Sequence, residues 1–81
     1  MLELLKFSAS WCQPCKMLGK IMEGEDLGVP VKEIDIDEQS ELAQSYQIRG
    51  VPTLVLVKDG VEIKRKSGMM MLPELQSFVK E

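Results

Sequence analysis

Both cysteines of this chain fall inside one short stretch, Trp11-Cys12-Gln13-Pro14-Cys15, directly after the apolar run Leu2-Glu3-Leu4-Leu5-Lys6-Phe7. A strand that ends in a Cys-x-x-Cys opening a helix marks a redox site candidate. The first turn of a helix presents unpaired N–H groups and the positive end of the macrodipole, and both favour a thiolate over a thiol. Cys12 is therefore the expected reactive cysteine. Pro14 suits the first turn, where a missing N–H costs nothing. Competing uses of the pair fare less well. A structural zinc site takes four ligands, usually Cys or His, and the chain has two cysteines and no histidine. An iron-sulfur cluster meets the same shortage of thiolates. A structural disulfide closing so short a loop restrains the unfolded chain by only about 2 kcal/mol, which leaves a staple possible in principle but poorly placed.

At 81 residues, 44% of them hydrophobic, the chain is expected to form one domain over residues 1–81. A net charge of -3 and an aromatic content of 5% argue against a nucleic-acid surface. The start of the chain shows neither a basic leader nor an apolar run of membrane-spanning length, so the expectation is a cytoplasmic monomer with no membrane association. In a reducing compartment a persistent structural disulfide is unusual, which favours a dithiol that cycles.

Leu2 to Phe7 reads as a largely buried strand, its apolar residues being nearly continuous, with Lys6 as its anomaly. Met17, Leu18, Ile21 and Met22 recur at helical spacing after Pro14, and the glycines at 24 and 28 end that helix. Val31 to Ile36 alternates as a second strand, so a parallel, right-handed βαβ unit is expected. Asp37-Glu38-Gln39-Ser40-Glu41 supplies capping groups for a short helix through Leu42, Ala43 and Tyr46 that Arg49-Gly50 ends. Thr53 to Val57 reads as a central strand, and Asp59-Gly60 as a type I′ turn leading into an antiparallel strand from Val61 to Ser67. Lys64-Arg65-Lys66 on that terminal strand reads as an edge guard. Pro73 starts a last helix with Leu75, Phe78 and Val79 on one face. The resulting class is α/β, β-α-β-α-β-β-α, a four-stranded mixed sheet flanked by three helices.

These residues resemble the thioredoxin family. Trp11-Cys12-Gln13-Pro14-Cys15-Lys16-Met17 is similar to its active-site motif, and Ile34-Asp35-Ile36-Asp37, Tyr46-Gln47-Ile48-Arg49-Gly50-Val51-Pro52-Thr53 and Lys58-Asp59-Gly60 follow in the family's order. The resemblance implies a minimal thioredoxin fold without the extra N-terminal strand and helix of full-length members, glutaredoxin-like in length. It implies a cis Val51-Pro52 bond facing the cysteines. It also implies a thiol-disulfide oxidoreductase that reduces protein disulfides, with Cys12 as nucleophile, Cys15 as resolving thiol and no bound cofactor beyond the redox-active Cys12-Cys15 disulfide. Substrate contacts are expected from Trp11, Gln13, Pro14, Val51, Pro52, Gly68 and Met69. The implied partners are disulfide-containing proteins and, as electron source, a thioredoxin reductase.

Glutathione is the alternative reductant, although Trp11, Gly50-Val51-Pro52 and Gly68-Met69 fit thioredoxin better than the glutaredoxin pattern. A non-catalytic binding module is a further alternative, against which the intact Cys-x-x-Cys argues. Gln13 replaces the family's usual glycine. The family's buried aspartate before the first cysteine is Lys6 here, and its neighbouring lysine is Glu33. The resemblance therefore implies a reversed charge pair, with Lys6 or Glu33 available for proton transfer at Cys15; Lys6 reaching solvent beside an exposed Glu33 is the alternative.

Overall fold

A computed structural model, which describes residues 1–80, contains seven elements. They are β1 (Leu2–Ser8), α1 (Gln13–Met22), β2 (Val31–Asp35), α2 (Ser40–Ser45), β3 (Thr53–Lys58), β4 (Val61–Ser67) and α3 (Leu72–Phe78). The sheet order is β2-β1-β3-β4, with β1 parallel to β2 and the other two pairings antiparallel. The near-continuous apolar runs thus belong to the two inner strands. Strand alternation sorts their side chains onto opposite faces. Leu4, Leu54 and Leu56 pack on one face with Leu18 of α1 and Leu75 of α3. Leu5, Phe7, Val55 and Val57 pack on the other with Ile34 and with Ala43 of α2. Lys6 and Ser8 share the parity of Leu4, so they lie on the α1 side.

The two edges differ from this centre. β4 is exposed along most of its length, and its basic run is engaged: Arg65 donates to the Glu62 carboxylate and to the Tyr46 carbonyl, Lys66 pairs with Glu74, and Lys64 lies 5.2 Å from the Phe78 ring centroid. Asp59 and Gly60 both have positive φ, 52° and 85°, as a type I′ turn demands. A bulge interrupts the β3–β4 register between Leu56 and Val57.

Three local expectations need correction. Met17 is 59% exposed, because it sits about 100° round the helix from Leu18 and off the core arc. The acidic stretch does not cap α2 with its own side chains; instead the Asp35 carboxylate accepts N–H bonds from Asp37 and Glu38, and Gln39 occupies the N-cap without a side-chain bond. Nor does Arg49-Gly50 end α2. The helix stops at Ser45, and Gln47 takes a left-handed φ of 55° while its N–H reaches the Gln44 carbonyl and that of Ile48 reaches the Ala43 carbonyl. That pair of bonds is the Schellman closure, with glutamine where glycine is usual.

Candidate active site

The site is assembled where β1 hands over to α1. Cys12 is the N-cap residue of α1, and its Sγ accepts the Cys15 N–H at 3.1 Å. The Cys12 carbonyl takes the Lys16 N–H at 3.3 Å, and the Cys12 N–H donates to the Ala9 carbonyl. One sulfur thus stands among the orphan donors of the first turn, the environment that lowers the cost of a thiolate. Cys12 and Cys15 are joined as a disulfide with Cα atoms 5.3 Å apart. Both are buried, in a small cluster with Ala9 against which Ile36 and Val51 pack. Gln13, Pro14 and Trp11 are exposed in front of them, and the Trp11 indole N–H donates to the Asp37 carboxylate at 2.9 Å.

The second wall comes from the segment before β3. The Val51–Pro52 peptide bond is cis, and Pro52 is fully buried. Thr53 Oγ1 donates to the Gly50 carbonyl at 2.7 Å and lies 3.2 Å from Ser67 Oγ, which ties the bend to β4. The Gly68 N–H donates to the Pro52 carbonyl at 2.9 Å, and Gly68 has a φ of 94° that only glycine adopts freely. The methionines that follow divide: Met70 joins the core, whereas Met69 and Met71 are exposed.

Beneath α1 lies a cavity of about 330 Å³ whose lining includes Lys6, Ser8, Cys15, Gly19 and Glu33. Lys6 and Glu33 are direct partners in the β1–β2 register. Lys6 Nζ is 3.7 Å from Glu33 Oε2, and Ser8 Oγ is 3.4 Å from the other carboxylate oxygen. The pair is asymmetric, since the lysine side chain is 7% exposed and the glutamate 68%. The predicted residues therefore fall into two groups, one around the disulfide and one below it, with Cys15 in both. Sequence reasoning missed three contributors. Asp37 tethers Trp11, Gly19 leaves room under the helix, and Asp35 organises the turn after β2. For Asp37 the available signal was its place at the end of the Ile34-Asp35-Ile36-Asp37 stretch, two residues beyond β2. The absence of a side chain at position 19 carried none. The groups with displaced titration, Asp59, Glu62, Arg65 and Glu74, lie on the β3–β4 hairpin and α3, outside this cavity.

Among the described residues, no His, Cys, Asp and Glu group is arranged to hold a metal ion, and no helix is long and apolar enough to cross a membrane. The thioredoxin family model matches residues 1–81. A thioredoxin of Chlamydia pneumoniae is 42% identical over 71 residues, covering 84% of this chain and 70% of that protein. A thioredoxin of Bacillus subtilis is 36% identical over 80 residues, covering 94% and 77%. Among solved structures, a mutant thioredoxin from Halobacterium salinarum superposes with a TM-score of 0.90 at 39% identity, covering 96% of this chain and 71% of that one.

Proposed function

The chain belongs to the thioredoxin family and is a thiol-disulfide oxidoreductase of that type; from that premise we propose that it reduces disulfides of other proteins with Cys12 as attacking sulfur and Cys15 as resolving sulfur. The observation that carries the assignment is the N-cap position of Cys12, whose Sγ already accepts the Cys15 N–H at 3.1 Å. In the reduced chain the Cys12 thiolate attacks one substrate sulfur. The substrate disulfide breaks, its other sulfur leaves with the electron pair and takes a proton from water, and a mixed disulfide remains. Cys15, its proton passed to water, then attacks Cys12 Sγ and expels the second substrate thiolate. Two electrons have moved to the substrate, and the chain is left as the Cys12–Cys15 disulfide.

In thioredoxins generally a reductase supplies the electrons that restore the dithiol. Here the proposed source is a thioredoxin reductase rather than glutathione, a choice supported by the similarity to thioredoxins along the chain. The proposed setting is a reducing compartment, the cytoplasm, with the chain acting as a monomer. Exposed Trp11, Gln13 and Pro14 on one side and Val51, Gly68 and Met69 on the other, with buried Pro52 fixing the bend behind them, would form the rim that receives the substrate backbone and its apolar side chains.

Reduced Cys12→Ser should lose all attack on a disulfide-bonded test protein, while Cys15→Ser should accumulate the mixed disulfide, read by mass. Fastest alkylation at Cys15 would reverse the roles. Oxidised protein recharged by glutathione but not by thioredoxin reductase with NADPH would overturn the choice of reductant. Met69→Asp should slow reduction of protein disulfides more than of a small-molecule disulfide.

A further inference from the structure

The cycle above leaves one charged group unused. Lys6 is the charged residue in the buried set, at 6% exposure, in the middle of β1. Its position is narrowly defined. A Cβ built on Gly19 would stand 3.3 Å from Lys6 Nζ, so the ammonium rests against α1 at the one place where that helix has no side chain. Gly19 follows Cys15 by four residues, one turn along the same helix face, where side-chain origins are about 5–6 Å apart. Lys6 and Cys15 line the same cavity. We propose that Lys6 is a positioning residue for the resolving sulfur: its positive charge, held under α1, attracts the Cys15 thiolate, hastening release of reduced substrate and favouring the reduced form of the pair. This rests on the reading of Cys15 as the resolving thiol.

The balance of surrounding charge decides whether such a field survives. From β2, Glu33 is the nearest opposing group, but at 3.7 Å and 68% exposure it meets water on most of its surface and screens Lys6 only partly. Asp35 also lines the cavity, with its carboxylate committed to the N–H groups of Asp37 and Glu38. From α1, Lys16 adds a second positive charge. Glu23 and Glu25 line a neighbouring cavity that Lys6, Gly19 and Glu33 also line and Cys15 does not, so they oppose Lys6 from the side away from the sulfur. Opposite Lys6 on β3 stands Leu54, which brings no charge. The lining thus carries two cations and two carboxylates, and what distinguishes Lys6 is burial: its side chain is 7% exposed, whereas Glu33 and Lys16 face water, so its charge is the one least screened. An opposite charge near a thiolate favours the charged form, and a roughly tenfold change in thiolate population, about one titration unit, is the scale of effect expected here.

Resolution is the step that reads this population. The Cys15 thiolate sulfur forms its bond to Cys12 Sγ, the Cys12–substrate bond breaks, and the substrate sulfur departs with the electron pair. Replacing Lys6 by neutral methionine should slow this step about tenfold near neutral pH and move its pH profile upward by the same factor. Glu33→Gln should act in the opposite direction, since it frees Lys6 from its partner. That opposition of sign separates a field from a relay. If Glu33 instead took the Cys15 proton, Glu33→Gln would slow resolution.

The decisive measurements need neither reductase nor protein substrate, so they stand apart from whether protein disulfides are the true targets. The first is thiolate absorbance of Cys15 against pH in a Cys12→Ser background. The second is equilibrium of the Cys12–Cys15 couple with a small dithiol at about pH 9, between the ordinary thiol and amine ranges. Stabilising the reduced form raises the potential, and tenfold corresponds to about 30 mV for two electrons. The expected results are a potential about 30 mV lower and a later titration for Lys6→Met, a smaller rise and an earlier titration for Glu33→Gln, and values near wild type for Lys6→Arg. Should Lys6→Met fail to fold, Glu33→Gln decides alone, its carboxylate being exposed. A lower or unchanged potential in Glu33→Gln, or wild-type values in a folded Lys6→Met, would overturn the proposal.

Discussion

Phe7 and Lys6 are neighbours in β1 and point to opposite faces of the sheet, and the two faces are built for different work. On the α2 side Phe7 is fully buried among Leu5, Ile34, Val55 and Val57, with the Tyr46 ring 5.5 Å away. On the α1 side the apolar packing of Leu4, Leu54 and Leu56 gives way toward the disulfide to Lys6, Ser8 and a cavity of about 330 Å³. Strand alternation lets one segment contribute a dry core and a polar chamber at once. Stability should therefore depend most on the first face and redox chemistry on the second. The largest expected effect tests that division. Phe7→Ala should cost about 3–5 kcal/mol, a large part of what a small domain has. Ser8→Ala, on the chamber side, should cost about 1 kcal/mol or less, because its bond to Glu33 is long at 3.4 Å and partly exposed. Urea denaturation of both would break the comparison if the two costs were alike.

A smaller pair of substitutions sharpens it, one on the helix over each face. Gln47 closes α2 in a left-handed conformation that glycine adopts without strain. Gln47→Gly should stabilise by about 1 kcal/mol and leave the redox couple unchanged. Gly19→Ala in α1 should gain up to about 1 kcal/mol from helix propensity. Part of that gain is offset where the new Cβ meets Lys6 Nζ at 3.3 Å and obliges it to shift slightly. The Cys15 titration should then move later. Thermal denaturation with thiolate absorbance checks both variants, and a Gln47→Gly that altered the redox couple would show that the faces are not separate.

Much of this architecture was legible in the chain because it is encoded locally. The apolar runs Leu2–Phe7 and Thr53–Val57 are long enough to mark inner strands, Asp59-Gly60 names its turn, and Cys12-Gln13-Pro14-Cys15 marks a helix start with chemistry on it. The similarity of Val51-Pro52-Thr53 to the family's segment brought the second wall of the site beside the first, something no local pattern contains. What could not be read depends on tertiary choices. Gln47 takes a conformation usually given to glycine because the Ile48 and Gln47 N–H groups both find helix carbonyls. Met69 was expected at the substrate rim, and the structure leaves it and Met71 outside while taking Met70 between them for the core. The pairing of Lys6 with Glu33 was expected from their reversed charges. The asymmetry of that pair depends on β2 lying at the sheet edge and on Gly19 having no side chain, neither of which is a property of positions 6 or 33.

The smallest effect lies off both faces, on β4, and it calibrates how far chemistry is confined to the chamber. Arg65 Nε and Nη2 donate to the Glu62 carboxylate at 2.6 and 2.7 Å. That hydrogen bonding holds the Glu62 carboxyl below 4.5 against the opposing effect of burial, with the charge attraction of Arg65 the smallest contribution. A carboxyl lowered on folding binds protons more weakly in the native chain than in the unfolded one. Its contribution is therefore complete above pH 4.5 and disappears as pH falls through the lower folded value. Because the pair is at the surface, that contribution should be under about 1 kcal/mol and should shrink with added salt. Denaturation midpoints of wild type and Glu62→Gln should thus differ slightly at about pH 6 and converge toward about pH 3. The potential of the Cys12–Cys15 couple should be the same in both. A charge change on β4 that shifted that potential would mean the field at Cys15 is set by the whole surface rather than by Lys6 and Glu33.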